Sequence, residues 1–423
     1  MPSKMTTINE AEQFLLAYSP EKLSGETYTL GRMKELMRRL GDPQNMIPTV
    51  HVAGTSGKTS TSYFIRSLLQ AHGKRTGLSI SPHITSITER IQVDGRPLDH
   101  SQFLVYLNEF IETISSWHDI TLTYFELLTA LGFWVFYKEQ VDYMVIEVGL
   151  GGLMDATNVI TNPNKVSVIT PIGLDHTQIL GSKIEDIAFQ KAGIILPNST
   201  VFIAPQVDAA ASIIDDVILS TSSHSTKTAQ ITHYQQGIPL FQQDNFELAK
   251  SVVNHLVERD NLMAISQQDI AKCVLATPPG RFEMYTIGNT QVILDGAHNP
   301  QKLAAFCRAL QRMGEPPYAW LVGFIEAPDA KIEDCLRQIH MNGSEYYFTS
   351  FTIGGDFKGR KSVNAHELAN QAQDWDANVH VAADPGQLLK KLIREQKKRT
   401  VLVTGSLYLV AQLRGLVRQL AAE

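Results

Sequence analysis

The sequence predicts an α/β protein of two domains, each built on a mostly parallel sheet, and three observations carry that prediction. At 423 residues the chain exceeds one ordinary domain, so two or three are expected. Short β-branched runs alternate with amphipathic stretches throughout, which is the rhythm of a parallel sheet flanked by helices. Strong turn chemistry at Thr277-Pro278-Pro279-Gly280 interrupts that rhythm, and it restarts beyond. The expected division is therefore a larger domain over 1–280 and a smaller one over 281–423.

Taken in order, TVHVAG (49–54) has the pattern of a buried strand, followed by a glycine-rich turn and the helical stretch SYFIRSLLQAHG (62–73). The apolar run over 127–137 is too short to cross a membrane and reads as a buried helix. DYMVIEVG (142–149) and KVSVITPIG (165–173) are two further strands, each feeding a polar loop at its carboxyl end, where ligands of such sheets gather. The segment 220–243 is rich in Ser, Thr and Gln and weakly patterned, which suggests strands and loops with a small antiparallel excursion. In the second domain QVILDGA (291–297) precedes a helix over 302–313. YAWLVGF (318–324), EYYFTSF (345–351) and TVLVTG (400–405) follow as strands.

Composition narrows the function class. Apolar residues make up 43% and charged residues 19%, enough for a substantial core. A formal net charge of -6 supplies no basic field, so nucleic acid is not the expected partner. The three cysteines, Cys273, Cys307 and Cys335, are widely spaced without CxxC pairing and read as reduced core residues. The first twenty residues carry early acids and no long apolar run, so neither a signal peptide nor a membrane span is expected, and a cytoplasmic location is.

Gly54-Thr55-Ser56-Gly57-Lys58-Thr59-Ser60 lies between a strand and a helix, where backbone N–H groups and a helix N-terminus can wrap a phosphate chain. Lys58 would add a point charge, and Thr59 or Ser60 a hydroxyl for phosphate or Mg²⁺. Because Val52 stands five residues before Gly57, the spacing departs from GxxxxGK[ST], and a plain glycine turn opening a helix is the other reading. Glu147 ends the strand DYMVIEVG, where an Mg²⁺ ligand beside a phosphate loop would stand, although a salt-bridged acid fits equally well. His176, in TPIGLDHTQ, follows another strand and on its own is more readily a structural histidine. Lys191, in AFQKAG, falls mid-helix, where an ordinary lysine would snorkel to solvent. Asp295 and His298, in LDGAHNP, end a strand early in the second domain.

Taken together these motifs resemble the Mur ligase superfamily, and closely the folylpolyglutamate synthase/dihydrofolate synthase family. The matching blocks run from about Leu30 onward. They are HVAGTSGKTS, SPH followed by TERI, TYFELLT, VIEVGLGG with DATN, DHTQILG with FQKAGI, QQDN, PGRFE, LDGAHNP and VTGSLYLV. The resemblance implies an N-terminal P-loop Mur-ligase-type ATPase domain and a smaller C-terminal Rossmann-like α/β domain. It implies an ATP- and Mg²⁺-dependent ligase that adds glutamate to dihydropteroate, or γ-linked glutamate to reduced folates, through an acyl phosphate. Its partners would be pterin or folate, L-glutamate and ATP, acting on a monomer, with a monovalent cation assisting.

Carried over by position, Gly57, Lys58, Thr59 and Ser60 would hold the triphosphate, and Ser81, Glu147 and His176 would bind magnesium. Lys191 matches the lysine that this family carbamylates, a change that turns a cation into a carboxylate-like group beside the metal. Asn245, Arg281 and Asp295 match nucleotide contacts, with His298 beside them, so that the nucleotide would lie between domains whose closure excludes water. Thr123, Phe125, Asp155 and Ala156 match positions near the pterin; a core aromatic is the other reading of Phe125.

Three departures stand against the family pattern. Ser56 and Thr59 replace the usual residues of GTNGKGS, Leu153 replaces the arginine of GGRLDATN, and the segment IGGDFKGRKS does not align with the family's arginine-containing strand end. Competing expectations are a Mur-type ligase for a non-folate carboxylate and a nucleotide-binding homologue without catalysis. TYFELLT and DGAHNP favour the folate branch, and the joint presence of Lys58, Glu147, His176 and Lys191 speaks for catalysis.

Overall fold

The computed structural model describes residues 4–19, 29–229, 238–314, 318–340, 345–353, 361–375, 378–395 and 399–422. They fall into two compact units. One holds the described residues up to 229 and Gln242–Ala276; the other holds 238–241 and the described residues from 277 onward.

The first unit is organised by a sheet of strands β1 (Thr49–Ala53), β2 (Thr76–Ser79), β3 (Ile91–Val93), β4 (Arg96–Pro97), β5 (Tyr143–Glu147), β6 (Val166–Ile169), β7 (Thr200–Ile203) and β8 (His224–Lys227). Their spatial order is β4-β3-β2-β5-β1-β6-β7-β8, with every pairing parallel except β2/β3 and β3/β4. β1 therefore sits in the middle, with β5 and β2 on one side and β6 on the other. It is buried on both faces, which is why TVHVA reads as an unbroken buried run. The carboxyl ends of β1, β2, β5 and β6 share one edge, the edge at which parallel sheets bind ligands.

Two layers cover this sheet. One contains helix Tyr124–Lys138, buried along almost its whole length, and helix His100–Ile114, with Phe103, Phe110, Phe133 and Phe136 fully buried in a common cluster. Each such ring is worth about 1.5–3 kcal/mol of transfer free energy. The first helix starts with a capping box: Thr123 Oγ1 accepts from Glu126 N at 3.3 Å, and Glu126 Oε2 accepts from Thr123 N at 2.7 Å. Arg32 then grips the same buried carboxylate from its Nε and Nη2, at 3.3 and 3.0 Å. The second layer packs helices Ile184–Ala192 and Asp208–Thr221 on β6 and β7 through Ile169, Ile187, Val201 and Ile214.

The polar stretch 220–243 differs from its expectation where it is described. It completes one helix, contributes β8 in parallel rather than antiparallel pairing, and opens helix Leu240–Asp260. Residues 230–237 of that stretch lie outside the described residues.

The second unit has strands β9 (Glu283–Ile287), β10 (Thr290–Leu294), β11 (Tyr318–Val322), β12 (Glu345–Thr349), β13 (Asn378–Ala382) and β14 (Arg399–Thr404), in the order β13-β12-β11-β14-β10-β9. Only the β9/β10 pairing is antiparallel. Clusters around Trp320, Phe306 and Phe348 on one face and Val401, Leu409 and Leu389 on the other give it two apolar layers. All three cysteines are buried. Most of IGGDFKGRKS lies outside the described residues. No described helix is long and apolar enough to cross a membrane.

Candidate functional site

The chain leaves β1 through Gly54, where a Cβ would stand 1.9 Å from Thr170 Oγ1, so only glycine fits. The loop is then pinned to the neighbouring strand end. Thr55 N and Ser56 N donate to Pro171 O at 3.0 and 3.1 Å, and the Thr55 hydroxyl donates to Gly173 O and accepts from Gly173 N. Gly57, at φ 88°, turns the chain into helix Lys58–Ala71; a Cβ there would lie 2.3 Å from Asn245 Oδ1. Lys58, Thr59 and the buried Ser60 thus occupy the first turn, whose N–H groups have no partner within the helix and favour an anion. With the Thr55 and Ser56 amides committed to Pro171, the anion-facing donors of the loop are those of the helix start.

Glu147 ends β5, which pairs with β1 so that Glu147 stands opposite Val52. It is 3% exposed. Its Oε1 accepts from Thr59 Oγ1 at 2.9 Å, and its Oε2 accepts from the backbone N–H of Ser81, just past β2, at 3.3 Å. Three strand ends therefore bring Thr59, Glu147 and Ser81 to one carboxylate. His176 follows the fourth, β6, as an exposed residue at φ 51° before the short helix Thr177–Leu180, with its N–H donating to Asp175 Oδ1.

Lys191 does not snorkel as an ordinary helix lysine would. It lies in the last turn of helix Ile184–Ala192, is 5% exposed, and donates from Nζ to Gly54 O at 2.9 Å. A lysine reaching into the protein interior rather than out to water is thereby tied to the start of the phosphate loop.

The Phe125 ring lies on Gly149, where an added Cβ would approach its Cζ to 2.4 Å, so the ring sits two residues beyond Glu147. Thr123 spends its hydroxyl on the helix cap. Asp155 turns its carboxylate into its own loop, accepting from Leu150 N, Thr157 N and Thr157 Oγ1, and Ala156 is buried beside it. Burial pushes the Asp155 carboxyl upward, opposed by the Thr157 hydroxyl and the loop amides. Because the Thr157 hydroxyl donates to Asp155, it accepts from His51 Nε2 at 2.8 Å, linking the loop to the middle of β1. Sequence reasoning missed His51, whose position inside a buried strand gives no sign of this partner. Leu153 packs on Gly193 and donates from its N to Gln190 O at 2.7 Å, so it buttresses the end of the Lys191 helix.

In the second unit, Asp295 follows β10 with both carboxylate oxygens engaged, Oδ2 by Phe282 N and Oδ1 by Ala297 N, each at 2.8 Å. Burial raises its carboxyl to about 6, with Arg281 pulling the other way. Arg281 Nη1 donates to Gly280 O at 3.3 Å. His298 is fixed on both ring nitrogens: Lys302 Nζ donates to Nε2 at 3.1 Å, and Nδ1 donates to Gly296 O at 2.8 Å.

No group of three or more His, Cys, Asp or Glu that could hold a metal occurs among the described residues. A single carboxylate met by a hydroxyl at the phosphate loop is instead a hard-oxygen arrangement. It fits Mg²⁺, which takes one or two carboxylates and completes its octahedron with water and substrate phosphates.

Comparison with known proteins adds a separate line. A model of the Mur ligase middle domain matches residues 52–263, and one of the dihydrofolate synthetase C-terminal domain matches 281–418. The chain is 32% identical over 419 residues to the dihydrofolate synthase/folylpolyglutamate synthase of Bacillus subtilis, covering 91% of this chain and 94% of that one. Among solved structures, Escherichia coli FolC in complex with DHPP and ADP superposes with a TM-score of 0.84 at 26% identity, covering 99% of each chain. A bifunctional folylpolyglutamate synthase/dihydrofolate synthase with Mn, AMPPNP and L-glutamate bound gives 0.81 at 25% identity, again over 99% of both.

Proposed function

The chain belongs to the folylpolyglutamate synthase/dihydrofolate synthase family, and from that premise we propose how its own residues carry out ATP-dependent ligation of glutamate to a pterin or folate carboxylate. The reaction uses ATP and a divalent cation and releases ADP and phosphate. One carboxylate oxygen of the acceptor attacks the γ-phosphorus and ADP leaves. The glutamate nitrogen then attacks the acyl carbon, loses a proton, and phosphate departs as the amide forms.

The observation that carries this reading is the Glu147 carboxylate, buried at the mouth of the phosphate loop and met there by Thr59 and Ser81. Gly57, Lys58, Thr59 and Ser60 are assigned to the triphosphate, where fixed N–H dipoles and one ammonium offset its charge during transfer. Glu147, Ser81 and His176 are assigned to magnesium, which when bound would neutralise phosphate charge. A carbamylated Lys191 would keep one N–H for Gly54 O while exchanging its positive charge for a negative one, a change suited to a cation nearby. Gly54, Thr55 and Ser56 hold the loop in shape through Thr170, Pro171 and Gly173.

Phe125, resting on Gly149 beside Glu147, is assigned to the pterin side, with Thr123, Asp155 and Ala156 shaping the walls around it. Asn245, Arg281, Asp295 and His298 are assigned to the nucleotide on the resemblance of their motifs; for Asn245 its contact with Gly57 adds support. The proposal places the activity in the cytoplasm, on a monomer, with a monovalent cation assisting.

Phosphate release tests it, with ATP, Mg²⁺ and glutamate, across dihydropteroate, tetrahydrofolate and a muramyl peptide. Release that needs both glutamate and a pterin acceptor, and that Lys58→Ala abolishes, is the expected result. Release with the muramyl peptide alone, or none with any acceptor, would overturn it.

A further inference from the structure

The blocks SPH and TERI contribute only Ser81 to the reaction as assigned above, yet the structure folds the rest of them around one side chain. Glu89 accepts from the backbone N–H groups of Ile84, Thr85 and Ser86 at 2.7, 3.0 and 3.2 Å, closing residues 84–86 into a compact turn. The next residue, Arg90, is 3% exposed and donates from Nε to His83 Nδ1 at 2.9 Å. A guanidinium only donates, so Nδ1 is the acceptor and the ring carries its proton on Nε2. His83 itself is only partly buried.

Two contacts locate this ring in the first unit. Ser81, two residues earlier, donates its N–H to Glu147 Oε2. The Arg90 guanidinium lies 5.4 Å from the centre of the Tyr124 ring, between Thr123 and Phe125. The segment that carries His83 is thus tied to the carboxylate of the phosphate loop through Ser81 and, through Arg90, to the helix start assigned to the acceptor.

We infer that His83 is a further substrate-binding residue of this reaction, its Nε2–H donating to the acceptor carboxyl oxygen that becomes the acyl carbonyl. Arg90 is the positioning residue that sets the tautomer. The inference rests on the ligase reading above. When the glutamate nitrogen attacks the acyl carbon, the carbonyl electron pair moves onto that oxygen, and it returns as phosphate leaves. A donor held at that oxygen is worth most at the moment its charge is greatest. No proton has to move for this stabilisation to act.

The test uses a pair of variants of the full chain for which a binding role and a purely structural one give opposite results. His83→Asn keeps an acceptor for Arg90 but lacks the reach of Nε2; His83→Gln extends an amide N–H to that position but gives up the acceptor. Removing one such donor lowers kcat about 100-fold. The asparagine variant should therefore lose about that much, with ADP affinity by calorimetry within about twofold of the parent, while glutamine stays within about tenfold. If His83 is only a strut for Arg90, asparagine is the benign change and glutamine the damaging one, and that ordering overturns the proposal. So does a kcat within about threefold of the parent in both variants. The unmutated protein is measured alongside: absence of glutamate-dependent phosphate release there sinks the ligase reading itself, whereas normal release with an indifferent asparagine variant sinks only His83.

Discussion

Gly57→Ala isolates the turn on which the phosphate loop depends. Its φ of 88° is left-handed, where an L-residue costs about 1–2 kcal/mol. Gly73, just beyond the far end of the same helix, supplies the control, because its φ of 74° is also left-handed and an added Cβ there meets nothing within 4 Å. Gly73→Ala should therefore show the backbone cost alone. At Gly57 the new Cβ would lie 2.3 Å from Asn245 Oδ1 and 3.1 Å from its Cγ, so Asn245 or the loop must move. Overpacking of that kind adds about 1–3 kcal/mol, which brings the total to about 2–5 kcal/mol. At about 2–4 °C per kcal/mol for a unit of this size, Gly57→Ala should lower the melting temperature clearly more than Gly73→Ala. Thermal unfolding followed by circular dichroism measures both, and adding Asn245→Ala to Gly57→Ala should close the gap between them. Equal losses at the two glycines would refute the claim that Asn245 packs against the loop.

The remaining predictions concern the groups around that loop. Thr59→Val removes the hydroxyl that orients Glu147 and should cut turnover about 10- to 100-fold, read by coupled phosphate release. Lys191→Ala should lose activity that added bicarbonate does not restore, and ¹³C-bicarbonate should give a carbamate signal by NMR in the parent protein and none in the variant. Asp295, raised to about 6, binds its proton more tightly folded than unfolded, so the folded state holds more protons between pH ~4 and ~6 and stability falls as pH rises through that window. The gap from an ordinary carboxyl converts to about 3 kcal/mol, and Asp295→Asn should flatten that part of the stability curve in urea titrations at stepped pH.

What the sequence made legible followed from burial. β1, β5 and β6 are buried on both faces, so their apolar runs stand out, and the glycines after β1 announce the turn that only they can make. Helix Tyr124–Lys138 was readable for the same reason. β8, with all four residues exposed, and β13, mostly exposed, lack the one-sided apolar alternation that marks a strand; β8 was expected only as an unplaced strand within 220–243, and β13 escaped notice. β3 and β4 are too short to carry a period.

The site divided along similar lines. Residue types and loop positions marked Lys58, Glu147 and Asp295 as candidates, but not what they touch. Thr59 meets Glu147 across 88 positions of sequence, and Gly57 meets Asn245, through strand order that no local pattern encodes. Lys191 was marked by its motif, which did not show that the carbonyl of Gly54 receives it inside the protein where an ordinary helix lysine would reach water. The inward turn of Asp155 and its link through Thr157 to His51 likewise needed coordinates.

The central claim is that the acceptor's own carboxylate oxygen captures the terminal phosphoryl group at this loop. It is tested most directly by labelling both carboxyl oxygens of dihydropteroate with ¹⁸O and analysing the products of one turnover with ATP and glutamate by mass spectrometry. One ¹⁸O in the released phosphate, together with ADP, is the predicted result. Unlabelled phosphate, or label carried into AMP, would contradict it.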